Sequence, residues 1–554
     1  MITAIFVMEI GVDSRIPTYS GGLGVLAGDM AYSFADLGLP ATFVTLLSRN
    51  GYTSQKLDGA AGQLDAPQKW DWGRMLSPVD VKATLEIGDR IQTVGAWEFK
   101  IRSKAETSVL FLDTDYPGND QMVRDAADRL YGGEPTHRLV QDIILGIGGY
   151  RVLKALGREV GIYHLNESHA ALATTELLRD TGSIDATKVR CAFTTHTPIA
   201  AGNDVFPLEA VEGALRSYTW VDWKSLATDG VINLSRLASK YSGVTNAVSM
   251  KHMFVSERVI GHNHITFVTN GVYHKRWVHP ELKNLFDSHV PGWQEVPSLL
   301  VRAMGIPSEQ LARAHTAAKK ALVAIVNAQQ PHAFEETAFT IVVAKRITGY
   351  KRNGMVLSDP ERLQNMAEGI GPVQVVIAGK THPRDGAAKG MLAEIIRKAD
   401  NVNRSARRVR VAVLENYDIE MAKALVAGAD VWLNNPRRPL EACGTSGIKA
   451  AMNGVLNMSV NDGWWLEGGI EGINGWGVGR RTDWTDLSES NDGEDENDLY
   501  SKLSNEVLPT YYHRQDRWVE MQKSSIATVG PLFNSYRMIE DYVTKVYSRA
   551  AAAQ

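Results

Sequence analysis

From Phe339 onward, short apolar runs recur with helical stretches between them, and this alternation constrains the fold more than any other feature of the chain. The runs fall at 339–344, 373–378, 409–414, 430–433 and 455–460. Each is too short for an independent helix, and its unbroken apolar character suits a strand buried on both faces. Strands of this kind joined by helices make a doubly wound parallel sheet. The N-terminal half opens in the same way. An apolar run at 4–8 leads to the turn Tyr19-Ser20-Gly21-Gly22-Leu23-Gly24, a helical pattern through Leu37 and a second strand at 41–47. Helices at 138–156 and 170–179 and strands at 161–165, 189–195 and 265–268 continue it, while 69–112 is β-rich and reads as an insertion or edge sheet. The expected fold class is α/β, with two doubly wound domains.

A chain of 554 residues is too long for one core. The amphipathic helix at 308–328 stops at Gln329-Gln330-Pro331, which places the domain boundary there. The expected organisation is 1–330 with its β-rich insertion, 331–520, and a helical tail, 521–554, packing back on the first domain. The acidic run at 489–498 reads as a solvated loop. Two such domains facing each other would leave a ligand cleft at the C-terminal edges of their sheets.

The net charge of −4 excludes a general nucleic-acid or membrane surface, so any anion site must come from local clustering of basic residues. Cys191 and Cys443 are too few for a disulfide framework or a zinc site, so no metal is expected. The N-terminal apolar run is short and has no basic lead-in, which suits a first strand and not a signal peptide. No stretch reaches the ~18 apolar residues of a membrane span. A reduced, cytoplasmic protein is expected.

The chemistry concentrates in the stretch from Asn434 to Gly468. Glu441, the turn Gly444-Thr445-Ser446-Gly447 and Lys449 lie within nine residues, just before a helical segment. Small residues ahead of a helix leave backbone N–H groups facing an anion. A lysine among apolar neighbours there would be desolvated, its pKa lowered, and its amine able to form a Schiff base. A phosphate-bearing aldehyde cofactor fits these residues; so does a glycine turn followed by a surface lysine. After strand 339–344 come Lys345, Arg346, Lys351 and Arg352, suited to phosphate oxygens. Three polar clusters also follow expected strands: Asn166-Glu167-Ser168-His169, Thr195-His196-Thr197 and Thr269-Asn270-Gly271.

The segments SRIPTYSGGLGVLAGD, HLNESHAAL, FTTHTP, VTNG, VAKRITGYKR, ENYDIEMA, NNPRRPLEACGTSGIKA and NDGWW run in order from Ser14 to Trp465. Together they resemble the α-glucan (glycogen/maltodextrin) phosphorylases, within them the short bacterial and archaeal branch. The resemblance implies a two-domain GT-B glycosyltransferase with the glucan on the N-terminal side. It implies pyridoxal 5′-phosphate held by Lys449 as a Schiff base that stays closed, with Thr445, Ser446 and Lys345 near its phosphate and Tyr417 near its ring. Orthophosphate would be bound by Arg346, Lys351 and the backbone at Gly22 and Leu23. Sugar hydroxyls would be read by Asn270, Glu441, Cys443 and Gly444, and His196 would bond near the reacting sugar. His196, Arg346, Lys351 and Glu441 thus form the implied catalytic set. The implied reaction is phosphorolysis of α-glucan or maltooligosaccharide to glucose 1-phosphate with retention; a homo-oligomer is compatible with the resemblance.

Ser20, Cys443 and Asp418 depart from the larger members, which place asparagine, serine and arginine there. The chain is also shorter than theirs, and their regulatory N-terminal segment and nucleotide site are expected to be absent. A nucleotide-sugar glucan synthase would need a lysine before the glycine pair, where Tyr19 and Ser20 stand, and would leave Lys449 unexplained. A non-catalytic glycan-binding relative would leave the cationic residues unexplained.

Overall fold

The apolar runs of the C-terminal half pair side by side as an all-parallel sheet. In a computed structural model describing residues 1–199, 202–261, 264–405 and 407–552, the strands are Phe339–Ala344, Val373–Ala378, Val409–Leu414, Val431–Asn434, Leu456–Val460 and Gly475–Val478. Numbered along the chain, their order across the sheet is 3-2-1-4-5-6. Val342 on the first strand faces Val376 on one side and Trp432 on the other. Both faces are covered by helices, so strand residues such as Val342, Ile377 and Trp432 are buried and each contributes roughly 1.5–3 kcal/mol of transfer free energy. The sixth strand, with the sequence GWGV, falls outside the expected set because its glycines interrupt the apolar signal.

The other sheet has nine strands. Seven run parallel: Ile2–Phe6, Ala41–Leu46, Glu106–Asp113, Val160–Asn166, Cys191–Thr194, Val244–Ala247 and Ile265–Phe267. Numbered in turn, they lie in the order 3-2-1-4-5-6-7. Ser77–Ile87 and Arg90–Arg102 extend the Glu106–Asp113 edge as antiparallel strands, which accounts for the β-rich region. The helical stretch after it is Pro135–Ile143, a π-turn Ile144–Gly148 and Gly149–Ala155.

The chain divides into two compact units. One comprises Met1–Tyr52, Pro67–Thr269 and Met538–Gln554, and the other Thr53–Ala66 and Asn270–Arg537. The division therefore falls at Thr269/Asn270 and not at 330. Helix Ser308–Gln329 belongs to the second unit because its Lys319 and His315 bond Asp430, which precedes strand Val431–Asn434. The hairpin Ser54–Asp58/Gly62–Ala66 also joins that unit, with Gln55 Nε2 donating to Gly379 O at 2.9 Å and Leu57 N to Glu415 Oε1 at 2.8 Å. Of the expected tail, 521–537 groups with the second unit and only residues from Met538 with the first, where Met538, Ile539, Tyr542 and Val546 enter a core containing Phe34 and Phe43; residues 553–554 lie outside the described residues.

The acidic run is not a loop. Asp492–Lys502 is a helix whose N-cap Asn491 accepts N–H bonds from Gly493 and Glu494, and its three first-turn acids favour the positive end of the helix dipole. No helix among the described residues is long and apolar enough to cross a membrane.

Candidate active site

In the order 3-2-1-4-5-6, the connections from strands 1 and 4 diverge, so a crevice opens at their carboxyl ends. Strand Phe339–Ala344 delivers Lys345 to that point, and strand Val431–Asn434 delivers Asn434 and Asn435. Lys345 Nζ donates to Asn435 Oδ1 at 2.9 Å and Asn434 Oδ1 at 3.2 Å, and lies 3.5 Å from Leu433 O. These partners are all neutral. Burial, reinforced by the charge of Lys351, holds the Lys345 ammonium well below its ordinary pKa, with Glu441 opposing. A buried cation met only by dipoles is primed to receive an anion.

Lys351 instead forms an ion pair with Glu441. Burial alone would depress its pKa, but the Glu441 carboxylate, aided by Tyr350, raises it. Glu441 N–H donates to Asp462 Oδ2 at 2.9 Å, which fixes the backbone ahead of the glycine turn. Gly444 follows with φ +87°, and a Cβ there would stand 3.4 Å from Glu441 Cδ, so the turn needs glycine for its conformation. Arg346 is exposed on the loop between Lys345 and Lys351. Arg352 is committed elsewhere: its guanidinium pairs with Asp492 at 2.9 Å and Asp495 at 2.7 Å and donates to Asn435 O and Pro436 O. One of the four expected cations is therefore structural.

Lys449 lies in helix Thr445–Ala451 and is buried, with Nζ 3.9 Å from the centre of the Trp277 ring. Asn453 Nδ2 donates to the carbonyls of both Lys449 and Trp277 at 2.9 Å, tying the two together. In the first turn Ser446 Oγ accepts from Trp432 Nε1 at 3.2 Å, while Thr445 is half-buried. Cys443 is buried, its thiol pushed up by burial and by Glu467, and it meets the Asn270 backbone. Asn270 is itself buried, and its Oδ1 has no hydrogen-bond partner, which suits a hydroxyl donor from a ligand. Tyr417 is half-buried, and the neighbouring Asp418 caps helix Ile419–Gly428 by accepting from Met421 N at 2.8 Å.

In the other unit, strand order places Glu9 and Asn166-Glu167 at the corresponding divergence. Glu167 accepts from Ser168 N, His196 N and Thr197 Oγ1 at 2.8–2.9 Å, joining two of the polar clusters. Burial raises its carboxyl pKa against the pull of His169 and these donors. His196 Nε2 lies 2.6 Å from Asn166 Oδ1, which can only accept. Nε2 therefore carries the proton and Nδ1 offers a lone pair. Burial lowers the His196 pKa to about 3, so the ring is neutral. Gly22 begins helix Gly22–Asp36, whose N-terminus has no side-chain cap and no acidic residue in its first turn; Leu23 beside it is half-buried. Asp142, His169 and Asp204 bring ligand atoms within 4.8 Å of one another, and Arg138, 2.7 Å from Asp204, already supplies that cluster with a cation.

Residues 225–469 match the model of the carbohydrate phosphorylase family. The chain is 37% identical to the maltodextrin phosphorylase of Thermococcus litoralis over 98% of this chain and 70% of that one. It is 34% identical to the glycogen phosphorylase of Mycobacterium tuberculosis over 99% and 71%, and 28% identical to an uncharacterized protein of Methanocaldococcus jannaschii over 98% and 99%. This chain belongs to the carbohydrate phosphorylase family. As a member of that family it is an enzyme, a glycosyltransferase.

This family member holds Lys345, Lys351, Glu441 and Gly444 about one sheet divergence, pairs Lys449 with Trp277, and sets Cys443 against Asn270. His196, Gly22 and Leu23 belong to the other unit. Sequence reasoning missed Asn434 and Asn435 as partners of Lys345, although a polar pair closing an apolar run is the signal that singled out Lys345 itself. It also missed Trp277, which has no periodic signature, and Glu9, a lone acid inside an apolar run.

Proposed function

We propose that this protein is an α-glucan phosphorylase of the GT-B arrangement, cleaving the terminal α-1,4 bond of a glucan or maltooligosaccharide with orthophosphate. The single observation that carries the reading is Lys345, a buried cation with only neutral partners at the sheet divergence of the unit that also buries Lys449. Such a pocket fits pyridoxal 5′-phosphate: Lys449 would hold it covalently over the Trp277 face, and Lys345 would balance the charge of its phosphate. When bound, the cofactor's phosphate group supplies an acid/base partner for orthophosphate.

Arg346 and Lys351 hold orthophosphate, and Gly22 N–H is assigned to the same anion. In the reaction a phosphate proton passes to the glycosidic oxygen as the C1–O bond breaks. A phosphate oxygen then bonds C1 from the same face, giving α-glucose 1-phosphate and a glucan shortened by one residue. Asn270 Oδ1, lacking a partner, accepts a sugar hydroxyl. Glu441, steadied by Lys351 and Asp462, accepts others, and the His196 Nδ1 lone pair takes one more. The nearby cations stabilise the charge that develops in the transition state. A nucleotide-sugar synthase would leave the buried Lys449 without a role.

The test is phosphate-dependent release of glucose 1-phosphate from a ladder of maltooligosaccharides, with an absorbance scan for a pyridoxal Schiff-base band. Lys449→Ala is expected to abolish release and the band while maltodextrin binding survives. Undiminished release by that variant, or a colourless protein left inert by added pyridoxal phosphate, refutes the proposal.

A further inference from the structure

We propose that Glu9 is a positioning residue for phosphate binding: its carboxylate holds the Ser20-Gly21-Gly22 turn so that Gly22 N–H faces the anion. This rests on the reading of Gly22 as a phosphate donor given above. Glu9 is 3% exposed and follows strand Ile2–Phe6 at the sheet divergence. One carboxylate oxygen accepts Ser20 N at 2.5 Å, Ser20 Oγ at 3.1 Å and Gly21 N at 3.2 Å. The other accepts Tyr131 OH at 2.9 Å.

The turn has little else to hold it. A Cβ built on Gly21 or Gly22 meets nothing within 4 Å, so no side chain packs against the diglycine. Glycine has the largest backbone freedom to lose, and an untethered pair would sample many conformations. Two residues on, a Cβ at Gly24 would lie 2.9 Å from Glu9 Oε2 and 2.8 Å from Tyr19 Cβ, so the helix start is seated directly on the carboxylate. Hydrogen bonds to an ionised acceptor are stronger than neutral ones, and here they converge on the two residues that precede Gly22.

The sign of the effect separates geometry from charge. A carboxylate near an anion repels it, so neutralising Glu9 would tighten phosphate binding if only charge mattered. If the carboxylate acts through the turn, the same change weakens phosphate binding. Phosphate and glucan KM, kcat and Tm are measured for the cofactor-loaded enzyme and for Glu9→Gln, Glu9→Asp, Tyr131→Phe and Gly22→Pro. Glu9→Gln is expected to raise the phosphate KM ~10-fold with the glucan KM within about twofold, the loss of one charge-assisted bond. Glu9→Asp, which keeps the charge, recovers part of this, and Tyr131→Phe raises the phosphate KM about threefold. Proline is tolerated at a first helical position and removes only the N–H, so Gly22→Pro tests the underlying reading.

A raised phosphate KM in Gly22→Pro with an unchanged or lowered one in Glu9→Gln and Tyr131→Phe overturns the role of Glu9 and leaves Gly22 in place. An unchanged phosphate KM in Gly22→Pro overturns the Gly22 reading and the proposal with it. Equal rises in both KM values with a lowered Tm mark Glu9 as purely structural and also overturn it. Should Glu9→Gln fail to fold, Tyr131→Phe decides by the same criteria.

Discussion

Lys345 and Arg346 are adjacent, yet the fold gives them opposite surroundings. Lys345 is buried among asparagine carbonyls and its charge is held at a cost, while Arg346 is exposed and pays little desolvation. That difference suits a fixed anion beside the first and an exchanging one beside the second. Arg346→Ala is expected to raise the phosphate KM by roughly 10- to 100-fold, as for loss of a charge-assisted hydrogen bond, with little change in the glucan KM. Steady-state kinetics with each substrate varied in turn reads this directly. Equal shifts in both constants would remove Arg346 from the phosphate site. Asp418 illustrates a departure with a local cause. It caps a helix, which an arginine side chain does not do by accepting a backbone N–H, so Asp418→Ala is expected to lower stability by about 1 kcal/mol in denaturant unfolding.

Among the elements, helix Asp492–Lys502 has the clearest structural task. Its Asp495 is buried against the Arg352 guanidinium, and Asp492 reaches both Arg352 and Arg437. Arg352 in turn donates to Asn435 O, beside the asparagine that meets Lys345. The helix therefore braces the carboxyl end of strand Val431–Asn434 through one arginine. Asp495→Ala leaves Arg352 buried and partly uncompensated, and the expected loss is about 3 kcal/mol of unfolding free energy. Urea unfolding monitors it, and a loss below about 0.5 kcal/mol would show that Asp492 alone suffices.

At the scale of the whole molecule, the buried histidines bias acid sensitivity toward one unit. Burial lowers the pKa of His164, His196 and His252 to about 3 each, and all three lie in the unit of the nine-stranded sheet. Below the free-histidine pKa, near 6.5, the unfolded chain binds protons that the folded unit refuses. Unfolding is then favoured as pH falls, and the stability these rings preserve is present above about pH 6.5 and lost progressively toward pH 3. Each histidine contributes up to ~1.4 kcal/mol per pH unit in that window. Calorimetry is expected to show this unit's transition moving to lower temperature between pH 7 and pH 5, and a constant Tm across that range would contradict the burial of the three rings.

The sequence by itself determined most of the strands and the shared α/β plan, because an apolar run buried on both faces is a local property that survives any packing. It also marked Lys345, Lys351, Glu441 and Lys449, since polar residues that close such runs have few other reasons to be there. Tertiary structure alone decided which of them meet. Lys351 pairs with Glu441 across 90 residues, and Arg352, one residue on, turns away to Asp495. No local signal separates those two neighbours. The boundary was equally illegible: helix Ser308–Gln329 ends in a clear stop, yet Lys319 and His315 bind it to Asp430, and the hairpin at Ser54–Ala66 joins the unit of its hydrogen-bond partners. Strand and helix follow from periodicity along the chain; partnership follows from contacts between residues far apart in it, whose free energy is defined only once the chain has folded.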